Sequence, residues 1–354
     1  MMSKDSPNQI RQLLHSFLPS VIAIIGFFIL CGVTLIIRGQ NPWKFYELIL
    51  ISGFSSIDDI GSILFNSTPL IFTGLAVAIG YKAGLFNIGC EGQLYVGGFA
   101  ATWIGLNIDL PPFILIPFCI IAAMSFGGIW GAIPGILKAR YGAHEVINTI
   151  MMNFIAFAIM SYLVTSIFQE PGQMEPQTAE IHDAARLPKL AGLIPILPQS
   201  NLLNTSFLIS CVVVLFLYFL LKYTRWGYEL RLVGNSPEVA SYGGINPGTV
   251  TIWVMTLSGA IAGLAGVADV LGYHYRFVLS FSPGWGFTGI AVALMGRNHP
   301  FGVLAAAILF GFLSKVALDV ELLLDIPHGL FIAGQGLLIL GLVCMEGYIR
   351  IKNQ

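Results

Sequence analysis

The sequence contains very little charge. Only 10% of its 354 residues are charged, 56% are hydrophobic, and the mean hydropathy is +0.81. Because a soluble globular domain carries about 25% charged residues, this composition excludes a water-soluble fold. The net charge of −1 and the lack of a basic run also exclude a nucleic-acid-binding protein.

Cysteine pairs are also missing. The five cysteines are widely scattered, lie mostly inside apolar runs and form no C-x-x-C pair. This pattern fits neither a disulfide framework nor a metal site, so no metal ligands are predicted. We expect the thiols to be small buried hydrophobic groups. They are Cys31, Cys90, Cys119, Cys211 and Cys344.

Catalytic motifs are lacking as well. The dipeptide Gly-Lys of a nucleotide-hydrolysing P-loop does not occur, so any ATP and Mg²⁺ chemistry must take place on another chain. Asn148 stands where an H-E-x-x-H zinc site needs its second histidine. The G-x-G-x-x-G string at Gly284, Gly286 and Gly289 lies between apolar runs, which favours a helix-breaking turn over a dinucleotide site. We therefore predict no catalytic residues, no cofactor in this chain, and a protein that is not an enzyme.

What the sequence has instead is a succession of long apolar runs. About 20 apolar residues cross the hydrocarbon core of a bilayer as a helix. The runs predict one all-α integral membrane domain over residues 1–354, with about ten transmembrane helices, some of them short or broken. Residues 17–37 are interpreted as a retained first span, because no signal-peptide cleavage site follows. The predicted spans are 17–37, 61–81, 91–107, 112–137, 146–168, 206–222, 250–272, 284–296, 300–318 and 328–348.

Lysine and arginine are unevenly distributed between the two membrane faces that these spans define. Most of the 17 basic residues fall on the side of the termini, whereas the acids concentrate on the opposite side. Since cytoplasmic loops of membrane proteins are enriched in Lys and Arg, both termini are predicted to be cytoplasmic. The basic residues on that side are Lys4, Arg11, Lys82, Lys138, Arg140, Lys222, Arg225, Arg231, Arg297, Arg350 and Lys352.

Two connecting segments are long enough to have a function. Residues 169–205 form a Pro-rich loop predicted to be external, for which a plain connector is the alternative. Residues 223–249 form the main cytoplasmic loop. In it Ser236 is predicted to cap a short helix that begins at Pro237, has Glu238 in its first turn, and ends at Gly243 and Gly244.

Small residues recur at four-residue spacing in two of the spans. Such stripes allow helices in a bilayer to approach closely, and we interpret them as packing surfaces. They are Gly127, Gly131 and Gly135 on one span, and Gly259, Gly263, Ser258, Ala262 and Gly266 on the other.

Polar residues inside apolar spans mark candidate functional positions, because they are costly in a bilayer. Asn87, Glu91 and Gln93 lie in a glycine-interrupted run over 83–98, the kind of broken helix from which transporters build substrate sites. A structural role, with Glu91 paired to a neighbouring helix, is the equal alternative.

Three further residues are candidates for the same pathway. Asp269 could accept a hydrogen bond from a substrate hydroxyl or pair with Lys315 or Arg276. Asn148 could line the pathway, although asparagines in spans more often join helices. Trp285 could line a pore or anchor the chain at the membrane interface.

Four strings resemble the permeases of ABC importers for branched-chain amino acids, ribose-type sugars and nucleosides. They are GLFNIGCEGQ (84–93), KARYGAHEVINTIMMNFIA (138–156), GYELRLVGNSPEVASYGGI (227–245) and SGAIAGLAG (258–266). The first string looks most like the larger subunit of the nucleoside branch, although Cys90 replaces a small aliphatic residue there.

The resemblance implies a second homologous permease in a heterodimer, a cytoplasmic ATP-binding subunit, an extracytoplasmic substrate-binding lipoprotein and a bacterial-type inner membrane. It also implies that the cytoplasmic loop is the coupling helix that docks on the ATPase. The residues concerned are Asn235, Ser236, Pro237, Glu238, Ala240, Gly243 and Gly244.

The sequence thus predicts a permease that moves a nucleoside through the membrane by alternating access. Simple sugars such as ribose or galactose are the nearest alternative substrates. An ion-driven secondary transporter with Glu91 and Asp269 as ion sites is a further alternative. An intramembrane enzyme is the remotest, because paired catalytic residues are not found.

Overall fold

The computed structural model describes residues 41–192 and 198–324, the short stretches 25–26, 28–29 and 31–37, and positions 39, 329, 334 and 336. The chain divides into two compact units. The larger unit is Ser56–Phe312, and the smaller combines Met1–Ser55 with Leu313–Gln354. The single domain over residues 1–354 stays a prediction.

Helices dominate the described residues, which contain isolated β-bridges and no longer strand. The predicted all-α class is therefore confirmed for them. Helix α5 continues into a π-helical turn at Leu163–Ile167, and 3₁₀ turns occur at Asp183–Ala185 and Leu190–Gly192. The helices are α1 (Pro42–Phe54), α2 (Ile57–Lys82), α3 (Cys90–Asn107), α4 (Pro112–Tyr141), α5 (Glu145–Tyr162), α6 (Ser206–Tyr223), α7 (Arg225–Asn235), α8 (Pro237–Tyr242), α9 (Pro247–Val270), α10 (Trp285–Met295) and α11 (Pro300–Leu324).

Six helices are long and apolar enough to cross a membrane, namely α2, α4, α5 with its π turn, α6, α9 and α11. They coincide with six predicted spans. Helix α10, within the predicted span 284–296, has 11 residues and is too short to cross alone. The predicted span 17–37 is described only in part and 328–348 lies largely outside the described residues, so the number ten and the orientation of the termini stay predictions.

Local capping explains where several helices begin and end. Ser56 and Asp59 form a capping box at the start of α2: the Asp59 N–H donates to Ser56 Oγ (3.1 Å) and the Ser56 N–H to Asp59 Oδ2 (2.9 Å). Asn246 caps α9 through the N–H groups of the first turn. Gly142 ends α4 in the left-handed region at φ 66°, which glycine adopts without strain.

Helices α3, α4 and α9 cross through glycine, which confirms the predicted small-residue stripes. A Cβ added to Gly127 would lie 2.5 Å from the Gly259 carbonyl oxygen. One added to Gly97 would lie 2.5 Å from Gly263 Cα and 3.0 Å from the Ala123 carbonyl oxygen. The three backbones therefore touch directly, and most of α3 is enclosed by protein.

The described cysteines are free thiols. Cys31, Cys90 and Cys119 are buried, and Cys211 is partly buried. This agrees with their predicted role as small buried groups, while Cys344 lies outside the described residues.

Candidate functional site

The predicted break in the glycine-rich run is a tight turn between α2 and α3, over residues 83–89. The Gly80 carbonyl accepts the N–H groups of Ala83 (2.9 Å) and Leu85 (3.0 Å), which closes the end of α2. Gly84 then adopts φ 72°, a conformation that side chains other than glycine rarely take. The chain reverses within the protein and begins α3 at Cys90.

Asn87 holds this turn from inside. Its amide nitrogen donates to Gln93 Oε1 (2.9 Å) and Ser258 Oγ (2.8 Å), and its oxygen accepts from the Gly89 N–H (2.9 Å) and Gln93 Nε2 (3.2 Å). Ser258 in turn donates to the Ala76 carbonyl of α2 (2.6 Å). Asn87 and Gln93 are almost fully buried, so their polar atoms join the turn to α2, α3 and α9.

Helix α5 supports the other side of the turn. Asn153 donates from its amide nitrogen to the Ile88 carbonyl (2.9 Å) and accepts the Gly92 N–H (2.8 Å) through its oxygen. Thr149 Oγ1 lies 3.4 Å from the Ile88 nitrogen. Asn153 is therefore a helix-joining residue, and it satisfies backbone groups that a broken helix leaves free.

Glu91 lies in the first turn of α3, and its buried carboxyl group contacts the start of α10. Its Oε2 accepts a hydrogen bond from the Gly286 N–H of α10 at 2.5 Å. The residue is only 2% exposed. Ser282 accepts the N–H groups of Gly284 (3.2 Å) and Trp285 (3.1 Å). Together these oxygens occupy the N-terminus of α10, where a negative charge interacts favourably with the helix dipole.

The glycines of the G-x-G-x-x-G string allow this approach. Gly284 has φ 95° and precedes α10. A Cβ on Gly286 would collide with the Glu91 backbone, and one on Gly289 would lie 2.5 Å from Thr73 Oγ1. The interpretation of the string as a helix-breaking turn is confirmed. Glycine is needed at Gly286 and Gly289 because α10 packs closely against α2 and α3 there.

An aromatic cluster adjoins Glu91 through Tyr95 and Trp285, and the sequence did not predict it. The Tyr95 ring, one turn after Glu91, lies 4.7 Å from Phe281 and 5.1 Å from Phe157. Trp285 lies 6.1 Å from Phe281. Only the helical spacing of Tyr95 from Glu91 could have indicated it. The remaining members are Phe99, Phe168 and Phe277.

Asp269 pairs with a residue that the sequence did not suggest. Its Oδ2 lies 2.6 Å from His274 Nδ1, and Asp269 is 4% exposed. The predicted alternative Arg276 instead pairs with Glu170 and Glu180. Lys315 belongs to the smaller unit, and its pairing with Asp269 stays a prediction. The hydrogen bond to the Asp269 carboxylate raises the pKa of His274. Their proximity arises because α9 ends directly after Asp269 and the chain turns back.

Asn148 lies apart from these contacts, near the start of α5. Its amide nitrogen is buried and has no hydrogen-bond partner among the described residues. A role in a substrate pathway stays a prediction for this residue.

The loop predicted to be external, 169–205, is ordered where it is described. The Thr178 N–H donates to the Phe277 carbonyl (3.0 Å) and the Ile181 N–H to the Tyr275 carbonyl (2.9 Å). Arg276 adds ion pairs to Glu170 (3.2 Å) and to Glu180. The loop thus packs on the segment between α9 and α10, which carries Phe277 and Phe281 of the aromatic cluster.

The short helix in the loop predicted to be cytoplasmic is present where the sequence predicts it. Helix α8 begins at Pro237, Ser236 accepts the Val239 N–H (3.4 Å), Glu238 lies in the first turn and Gly243 follows the last residue. The sequence did not predict which side of α8 is buried: Ala240 is 0% exposed, whereas Tyr242 is 94% exposed. Ala240 therefore packs against the protein, and Glu238, Val239 and Tyr242 form the accessible face.

The segment before α8 contacts the turn at 83–89. A Cβ on Gly234 would collide with the Lys82 carbonyl oxygen and lie 3.0 Å from Ala83 Cα. A Cβ on Gly84 would lie 3.3 Å from the Gly234 carbonyl oxygen. The end of α7 is thus in backbone contact with the turn that positions Asn87 and Glu91.

Comparisons with known proteins agree along the chain. Residues 60–339 match the family described as branched-chain amino acid transport system / permease component. The chain is 37% identical over 300 residues to the nucleoside ABC transporter permease protein NupB of Lactococcus lactis, which covers 84% of this chain and 82% of that protein. It is 36% identical over 319 residues to the guanosine ABC transporter permease protein NupP of Bacillus subtilis, covering 90% of each. It is also 35% identical over 335 residues to a glucose ABC transporter permease protein of Haloferax volcanii, covering 94% of this chain and 88% of that protein.

Proposed function

Because this chain belongs to the family of branched-chain amino acid transport system permease components, we propose that it carries nucleosides through the membrane as one permease subunit of an ATP-driven importer. The observation that supports this most is the similarity over most of the chain to two permeases for nucleosides, at 36% and 37% identity. The mechanism proposed is alternating access, with import driven by ATP hydrolysis on a partner chain.

The proposed substrate route passes Glu91, Trp285 and the aromatic cluster. Aromatic side chains can stack on a nucleobase, and a few polar groups suffice to bind sugar hydroxyls without charge pairing. Asn87 and Gln93 are proposed to support this route indirectly, since their amides are occupied in the turn at 83–89. Asp269 and Asn148 are proposed to lie along the same route.

Three partners complete the proposed assembly. A cytoplasmic ATP-binding subunit contacts the accessible face of α8, a substrate-binding lipoprotein docks over 169–205, and a second homologous permease pairs with this one. The backbone contact of Gly234 with the turn at 83–89 offers a direct mechanical route from α8 to Glu91. Both termini are proposed to lie in the cytoplasm, with the protein in a bacterial-type inner membrane.

A sugar is the second candidate substrate, favoured by the 35% identity to a glucose permease. Uptake of labelled guanosine, uridine, ribose, galactose and glucose by cells with and without the gene separates the two. The nucleoside proposal predicts that guanosine or uridine uptake depends on the gene, and uptake of every nucleoside unchanged by the deletion contradicts it. If only the uptake of a free sugar depends on the gene, the sugar is the transported substrate.

The energy source is tested in the same cells. Depleting ATP while the ion gradient is maintained should stop gene-dependent uptake. Uptake that persists without ATP and collapses with the gradient would instead identify a secondary transporter that uses Glu91 or Asp269 as an ion site.

The coupling role of α8 is tested by reversing its exposed charge. In Glu238→Lys we expect substrate-stimulated ATPase activity of the purified importer to fall roughly tenfold, since a mismatched charge weakens docking by about 1.4 kcal/mol. The Asp109→Lys variant is the matched control, because Asp109 is an exposed acid in the connection between α3 and α4. Normal stimulation in Glu238→Lys, with normal amounts of assembled protein, would exclude α8 as the docking helix. Ala240 is unsuitable for this test because its substitution alters internal packing.

A further inference from the structure

A second polar region lies away from the aromatic cluster, where α2 and α6 end and α11 begins. There a cavity of about 240 Å³ opens within the larger unit. We call it the basic pocket. It is lined by Lys82, Tyr218, Leu221, Lys222, Arg231, Asn298, His299 and Pro300.

The basic pocket collects cationic side chains and has no acid in its lining. Lys82 lies in the last turn of α2, Lys222 in the last turn of α6, and Arg231 on α7. Burial lowers the pKa of His299, and the charges of Lys82 and Lys222 lower it further. Neither lysine has an acidic partner among the described residues, so the side chains that line the pocket carry a net positive charge.

Asn298 gives the pocket a polar group without a partner. The residue is 6% exposed and lies at φ 53°, a conformation in which asparagine is tolerated. Its Oδ1 is buried and makes no hydrogen bond to any described residue. An oxygen in this position can accept a hydrogen bond from a ligand hydroxyl. If the side-chain amide rotates by 180°, its NH₂ group can instead donate hydrogen bonds to the ligand.

The N-terminus of α11 adds to the positive potential. His299 directly precedes Pro300, and the first N–H groups of a helix point out of its end, where they favour an anion. Cations, an amide with an unpartnered oxygen and a helix N-terminus thus converge on one small volume. Their shared chemistry is that of a phosphate site.

The pocket also lies where a membrane surface is expected. Lys82 and Lys222 occupy the last turns of two candidate membrane spans. Aromatic rings surround the site: Tyr218 lies 5.1 Å from Phe301 and 5.9 Å from His299. Tyrosine rings and lysine side chains at span ends are typical of the interface between hydrocarbon and headgroups.

From these contacts we propose that the basic pocket binds the phosphate group of an anionic phospholipid. Basic pockets between transmembrane helices suit lipid headgroups, and Leu221 and Pro300 add apolar side chains to the lining. A zwitterionic lipid is disfavoured because its own ammonium group meets the same cations. The site is independent of the transported substrate.

The test titrates the purified importer in neutral detergent with phosphatidylglycerol, with phosphatidylcholine of the same acyl chains, and with inorganic phosphate. Binding is followed by native mass spectrometry and by the thermal unfolding midpoint. The pocket variant is Lys82→Gln/Lys222→Gln. The control is Arg225→Gln, because Arg225 lies at the start of α7 outside the pocket and pairs with Glu229 at 2.7 Å.

We expect phosphatidylglycerol to bind and stabilise the wild type and the control, and its apparent Kd to rise about thirtyfold in the pocket variant, as removal of two cations implies. Phosphatidylcholine and inorganic phosphate should bind far more weakly. If the double variant does not fold, Lys82→Gln alone should raise the Kd about fivefold.

Three results would overturn the proposal. Equal phosphatidylglycerol binding by the pocket variant and the wild type would place the lipid elsewhere. Binding of inorganic phosphate as tight as that of the lipid would assign the pocket to a soluble anion. Loss of the ATPase subunit from the pocket variant with unchanged lipid binding would assign it to protein docking.

Discussion

Replacing Glu91 by alanine should lower uptake of the transported substrate roughly a hundredfold. The change leaves the Gly286 N–H without its acceptor in a buried site and removes the carboxyl group from the N-terminus of α10. The two losses cost about 2–4 kcal/mol together, and each 1.4 kcal/mol corresponds to a factor of ten. The arrangement of α3 against α10 beside the aromatic cluster is then no longer the stable one. Initial rates of uptake, normalised to the amount of inserted protein, measure the effect.

Glu91→Gln separates the hydrogen bond from the charge. Glutamine keeps an oxygen that can accept from Gly286, so its uptake should lie between that of wild type and Glu91→Ala. Asp109→Ala, which removes an exposed acid, should transport normally. Wild-type uptake by Glu91→Ala would rule out the capping role. Equal and complete loss in both Glu91 variants, together with dependence on an ion gradient, would point to an ion site instead.

Gly97→Ala should destabilise the protein by about 1–3 kcal/mol, the usual cost of overpacking a tight interior. The added methyl group would stand 2.5 Å from Gly263 Cα and 3.0 Å from the Ala123 carbonyl oxygen, which belong to two other helices. Backbone atoms cannot move aside as a flexible side chain can. In a helix without such neighbours the same change stabilises by up to about 1 kcal/mol, so the sign of the effect is diagnostic.

The measurement is the thermal unfolding midpoint of purified protein, with the folded yield in membranes as a second readout. Gly192→Ala is the matched control, because nothing lies within 4 Å of a Cβ at that position. A midpoint for Gly97→Ala equal to or above that of wild type would show that α3, α4 and α9 do not cross as closely as described.

The residues around α8 show what local sequence can predict. A serine followed by proline and glutamate places an N-cap, a first helical position and a favourable charge within three residues, so the start of α8 followed from neighbours in the chain. Which side of α8 faces outward did not follow. Ala240 is buried because of the chain packed against it, and an isolated six-residue helix carries no such information.

The broken helices show the same division. Glycine and polar residues in an apolar run predicted the break at 83–98, because such residues are costly in a regular membrane helix. Their partners could not be predicted: Asn87 bonds a serine 171 positions away, and Glu91 a backbone N–H 195 positions away. The aromatic cluster could not be predicted for a further reason. With 25 phenylalanines in the chain, no single one stands out in the sequence.

The low charge that distinguishes this sequence determined by itself that the chain is an all-α membrane protein, where most of its described spans lie and where its helices break. These properties depend on the transfer of each short segment into a bilayer and on its own hydrogen bonds. Only the tertiary structure decided that Glu91 caps α10, that Asp269 pairs with His274, and that Lys82 and Lys222 share one pocket. Those outcomes depend on contacts between residues far apart in the chain, which are fixed only when the helices pack.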